Sequence, residues 1–116
     1  MRKALNQSEP MYTLYWFMFF AHPQPANPDY FRVPAAFVNA WVAHSDPVIA
    51  EHIARDAIQK ELWEIERLEQ WSVVSRTTYK DSLRSLEHFE EALLKGHCLA
   101  FIRWPSEENI NHQRRE

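Results

Sequence analysis

Between Tyr12 and Phe20 the chain reads YTLYWFMFF, apolar at nearly every position. Aromatic runs of this kind favour strands, so a first strand is predicted over Tyr12–Phe20. Tyr12, Leu14, Trp16, Met18 and Phe20 share one face, and Thr13, Tyr15, Phe17 and Phe19 the other. A strand apolar on both sides either lies between two layers or keeps one face for a partner. His22–Pro34 follows with Pro23, Pro25, Pro28 and Pro34. That spacing opposes helix and ladder alike and predicts a stiff, extended loop. Loops of this length in compact domains are often functional. A second strand is expected over Ala36–Ala43, with Ala36, Val38, Ala40 and Val42 opposite Phe37, Asn39 and Trp41.

The period then changes. Ser45-Asp46-Pro47 joins a capping side chain to a proline suited to a first helical turn. Ile49, Ala50, Ile53, Ala54, Ala57, Ile58, Leu62 and Ile65 recur at three- and four-residue steps, which predicts an amphipathic helix running to about Leu68. Trp71–Thr78 (WSVVSRTT) alternates as a third strand. A second helix is capped by Asp81 or Ser82, carries Leu83, Leu86, Phe89, Ala92, Leu93 and Leu94, and stops at Lys95-Gly96. Cys98–Trp104 reads as a last strand, closed by Pro105. The order is β-β-α-β-α-β, and the two strand–helix–strand connections are candidate crossovers. The expected fold is α+β: a two-layer sandwich of about four strands with both helices on one face. The order resembles the ferredoxin-like βαββαβ pattern, with an extra strand at the front; the resemblance is one of architecture. Residues 1–10 read as a polar N-terminal arm, 11–105 as the single domain and 106–116 as a polar tail.

Composition narrows the functional classes. In 116 residues there are 13 Lys+Arg and 16 Asp+Glu, a net charge of -3, with 46% hydrophobic and 14% aromatic residues. That is too apolar for a disordered chain and too acidic for an electrostatic nucleic-acid binder, so no nucleic-acid partner is expected. With a single Gly, at position 96, there is no phosphate-binding loop, dinucleotide fingerprint or nucleophile elbow. The lone Cys98 excludes an internal disulfide. It fits a reducing, cytoplasmic compartment, and it reads as an inert buried thiol, with His88 or His97 as its only plausible base partners. The apolar run Tyr12–Ala21 is about half the roughly 20 residues that a membrane-spanning helix needs. No membrane association is expected. His22, His44 and His52 show no ligand spacing, so no metal and no cofactor is expected.

What remains is the aromatic excess. Trp16, Trp41, Trp71 and Trp104 all fall on predicted strands. With both helices on one face, the other carries large rings that nothing in the chain covers, and such patches are usually interaction sites. Trp16, Trp41, Trp71 and Trp104, with Tyr30 and Phe31 of the proline-rich loop, are therefore the candidate partner-binding residues. Changing Trp16 or Trp41 to Ala is expected to abolish binding without unfolding the domain. The expected function is a small non-enzymatic protein-binding protein of regulator, inhibitor or immunity type, homodimeric or bound to another protein. The alternative is a dimeric small-ligand-binding protein or enzyme with an apolar pocket. Arg76, Arg103 and His44 are its candidate polar or anion-binding handles, with Asn39 a further polar group and Arg32 a possible third arginine. No catalytic residue is assigned.

Overall fold

The computed structural model describes residues 12–104. The expected arm and tail lie outside the described residues, as do residues 11 and 105 of the expected domain. The fold is α+β, an open four-stranded antiparallel sheet with two helices, in the expected element order. The strands are β1 (Thr13–Pro23), β2 (Ala36–His44), β3 (Trp63–Val74) and β4 (His97–Arg103). The helices are α1 (Pro47–Lys60) and α2 (Leu83–Lys95), with a short 3-10 turn at Arg76–Tyr79. The sheet order is β3-β1-β2-β4. The apolar β1 is therefore central, and β3 and β4 are the edges.

Register assigns the faces. Phe17 pairs with Ala40, and Ala40 with Leu99; Trp16 pairs with Trp41, and Trp41 with Cys98. Paired residues share a face, so Tyr15, Phe17, Phe19 and Ala21 lie with Ala36, Val38, Ala40 and Val42. On that face α1 packs through Ala50, Ala54 and Ile58. The helix contributes mostly small residues where the strand contributes large rings, which allows close approach. Over this helix and the strands beneath it the packing is two-layered.

The second helix corrects the expectation that both share a face. Phe89 and Ala92 of α2 pack with Leu14, Trp41, Val74 and Cys98, the opposite face from α1. The reason lies in the chain after β3. Ser75 starts the 3-10 turn with a reciprocal cap to Thr78, and Tyr79 at its end packs edge-on to Trp41 and to Phe89. The turn delivers α2 across the sheet. Ser82 caps α2 by accepting from Ser85 N, and Gly96 closes it at φ 101°.

The first helix also stops earlier than its periodicity suggests, at Lys60, and β3 begins at Trp63 rather than Trp71. The stop is made by Leu62 in a left-handed conformation, φ 71°, where glycine is usual. Asn27 holds that turn. It is the sole buried polar side chain among the described residues. Its Nδ2 donates to Leu62 O at 2.9 Å and Glu61 O at 3.4 Å, and its Oδ1 accepts from Asp29 N at 2.8 Å. Gln24 N adds a 2.9 Å bond to Leu62 O. The proline-rich loop is thereby tied to the end of α1, and β1 runs on to Pro23 as its last paired residue, where no ladder was expected. Asn27→Ala strands these backbone groups in a buried site and is expected to cost about 1–3 kcal/mol. Chemical denaturation measures it, and a midpoint equal to that of the parent would refute this account of the turn.

Candidate functional site

The face that carries α2 is covered along half its length. At the covered end Trp16 and Trp41 lie side by side, and Trp41 is only 4% exposed. Both indoles have internal acceptors. Trp16 Nε1 donates to Asn39 Oδ1 at 2.9 Å, and Trp41 Nε1 to Tyr79 Oη at 2.8 Å. Burial pushes the Tyr79 phenol above its ordinary range despite that bond. Trp41 stacks on His88 at 4.9 Å. Between the indoles, the 3-10 turn and α2 lies a cavity of about 300 Å³ lined also by Ser72, Val74, Thr78 and Ser85. Its walls are aromatic, its polar groups are hydroxyls and one amide, and it contains no charge.

Beyond α2 the same face is open. Phe20, Phe37 and Trp104 form a triad with centroids 5.3–5.7 Å apart. The Arg67 guanidinium lies 4.6 Å above the Phe20 ring. Ile102, paired with Phe37 and so on this face, is 56% exposed, and Trp104 is 41% exposed. The proline-rich loop leaves the sheet at this end. Phe31 is 92% exposed and meets Tyr30 edge-on at 4.9 Å. A groove of about 590 Å³ runs past Tyr30 and Phe31 to His22, which pairs with Glu66 at 2.8 Å. The open half-sheet and the loop thus make a rim of rings at one end of the molecule.

The predicted site residues therefore divide. Trp104, Tyr30 and Phe31 lie at the open end. At the other end of that face Trp41 is buried and Trp16 half-buried. Trp71 stands on the α1 face, stacked on Phe17 at 6.4 Å and 53% exposed. Phe20 and Phe37, not singled out from the sequence, complete the triad; their signal was the double-sided apolar pattern of the two central strands.

The candidate handles are engaged elsewhere. Arg76 is in the 3-10 turn, not a strand, and donates to both Glu90 oxygens, Nε at 2.5 Å and Nη2 at 3.0 Å. Those bonds hold the Glu90 carboxyl below its ordinary range, at a fully solvated site. Arg103 pairs with Asp29 at 3.4 Å and lies over the Phe101 and Trp63 rings. Arg32 pairs with the same Asp29, so the two arginines meet with a carboxylate already between them. Arg76 lies at the other end of the sheet. His44 Nδ1 accepts from Asp46 N at 3.0 Å, while Asp46 caps α1 through Val48 N at 2.8 Å. These bonds make His44 part of the turn into the helix.

His88 Nδ1 and Cys98 Sγ lie 3.4 Å apart. Burial, reinforced by the Glu91 carboxylate, pushes the thiol up to about 11 from an ordinary 9.0. A protonated thiol is a poor nucleophile. The unfolded thiol ionises near pH 9 while the folded one keeps its proton to about 11, so stability falls as pH rises through that interval. Cys98→Ala is expected to remove this part of the fall. Denaturation at pH 8 and pH 11 measures it; an unchanged pH dependence in the variant would count against the assignment.

Among the described residues no three potential metal-ligating side chains converge, and no helix is long and apolar enough to cross a membrane. The chain matches no family model, no curated protein and no solved structure.

Proposed function

We propose that the protein acts by binding another protein, as a homodimeric regulator, inhibitor or immunity-type module of the cytoplasm. The observation that carries this reading is the uncovered half-sheet, where Phe20, Phe37 and Trp104 sit with Ile102 beside the exposed Tyr30–Phe31 pair. Contiguous rings rimmed by polar residues are the usual anchors of interfaces. The partner-binding residues are then Trp104, Tyr30 and Phe31 with Phe37 and Phe20. Trp16 and Trp41 brace α2 behind them. The free Cys98 supports a reducing compartment.

The test pairs recognition with stability. A partner held by the wild-type chain and lost by both Phe31→Ser and Trp104→Ser, with the unfolding midpoint unchanged in Phe31→Ser, supports the reading. Retention of that partner by both variants overturns it. Phe31 is 92% exposed, so Phe31→Ser is expected to shift stability by about 0.5 kcal/mol or less, and its loss of binding reports on the surface.

The cavity between Trp16, Trp41 and Tyr79 favours a second reading, a site for a small uncharged ligand. A ligand of that kind raises the unfolding midpoint, and raises it further as its concentration increases; Ser72→Leu, which adds a bulky apolar side chain to the cavity lining, is expected to abolish the rise.

A further inference from the structure

The two sheet edges are unequally protected. The β3 edge is interrupted by bulges at Glu69 and Glu66, and its exposed side chains include Glu64, Glu66, Arg67, Glu69 and Gln70. Bulges and charges are the usual guards against edge-to-edge pairing. The β4 edge has no bulge, and its one permanent charge, Arg103, stands at the strand's end and is paired with Asp29. His97–Arg103 reads HCLAFIR, pairs with β2 in unbroken register, and has no proline or acidic residue.

We infer that this edge pairs antiparallel with β4 of a second copy, centred on Ala100. The inference rests on the homodimer reading above and names the surface that makes the dimer. The orientation of backbone groups fixes the register. Trp104 N bonds to Ala35 O, and Ala43 N to Gly96 O. Even-numbered residues of β4 therefore bond inward to β2, and by alternation the N–H and C=O of His97, Leu99, Phe101 and Arg103 point outward. An antiparallel pairing that opposes residues whose numbers sum to 200 satisfies all four: His97 with Arg103 of the partner subunit, and Leu99 with Phe101 of the partner subunit. A shift by two residues in either direction leaves some of them unpaired.

The same register suits the side chains. Ala100 meets its own copy on the dyad, where a small residue admits close approach. Leu99 and Phe101 are both half-buried on the α1 face and oppose each other. Ile102 opposes Cys98 of the partner subunit, beneath the partner's α2, which gives cover to a side chain otherwise 56% exposed. At the ends a histidine faces an arginine whose charge Asp29 already engages. The dimer is a continuous eight-stranded sheet that leaves the Phe20–Phe37–Trp104 triad of each copy free for a partner.

Register makes the test specific. Ala100 and its copy form a non-hydrogen-bonded pair, with Cα atoms about 4.5 Å apart, within the range a disulfide spans. In a Cys98→Ala background, Ala100→Cys is expected to cross-link to a covalent dimer under mild oxidation, and Leu99→Cys, offset from its copy, is not. Ala100→Glu, which sets two carboxylates against each other on the dyad, is expected to give a monomer in sedimentation with its circular dichroism intact. A wild-type dimer that Ala100→Cys fails to trap, or that survives Ala100→Glu, overturns the edge and register but leaves the homodimer standing. A wild-type chain that sediments as a monomer across the concentration series overturns both.

Discussion

Trp41→Ala is expected to destabilise the fold by about 3–5 kcal/mol, the range for truncating a fully packed tryptophan. The ring is 4% exposed, stacks on His88, meets Tyr79 edge-on and belongs to the cluster that seats Phe89 and Ala92. Its loss also leaves the half-buried Tyr79 hydroxyl without its donor at 2.8 Å, which adds part of a desolvation penalty within that total. The expected result is a chain in which α2 undocks first and hydrogen exchange in Leu83–Lys95 rises ahead of β1 and β2. Denaturant unfolding measures the cost. A cost below about 1 kcal/mol would show that Trp41 is not the seat of α2. From sequence, the same substitution was expected to leave folding untouched; coverage by α2 inverts that expectation, and a binding defect in this variant would report on lost structure.

How much of this was legible depended on whether the signal was local. Asp46-Pro47 marks the start of α1 because a cap and a first-turn proline act within one turn, and Ser82 and Gly96 bracket α2 for the same reason. Both central strands were readable because each is apolar enough to declare itself without its neighbours. The end of α1 was not readable, because its stop is Leu62 held left-handed by Asn27 from 35 residues away. The composition of the candidate site was partly visible, since the tryptophans do lie on or beside strands. Their sorting was not. The loop between β1 and β2 is too long to fix register by turn geometry, and register decides that Trp16 shares a face with Trp41 while Trp71 does not. Nor does any local pattern say that a 3-10 turn carries α2 to the second face, and that crossing is what buries Trp41 and half-buries Trp16.

The misreading of β3 leads to the sharpest expected contrast. Its buried-side residues Trp63, Ile65, Leu68 and Trp71 pair with Pro23, Ala21, Phe19 and Phe17. Their spacings are two, three and three because Glu66 and Glu69 are each an extra residue in a bulge. A strand bulged twice thus borrows the three-residue step of a helix, and Ile65 and Leu68 extend the stripe of α1 past its true end. Deleting Glu69 converts one bulge into regular alternation, keeps Leu68 and Trp71 on the α1 face, and removes only the exposed pair with Arg67. The expected cost is about 1–3 kcal/mol, with the fold retained. Deleting Met18 from β1 has no bulge to absorb it. Every residue on one side of the gap then turns to the other face, so either Tyr15 and Phe17 or Phe19 and Ala21 leave the α1 core. No cooperative unfolding transition is expected from that variant. Circular dichroism and thermal melts of the two deletions, each one residue long and on adjacent strands, separate them; a folded Met18 deletion, or an unfolded Glu69 deletion, would refute the register on which the face assignments rest.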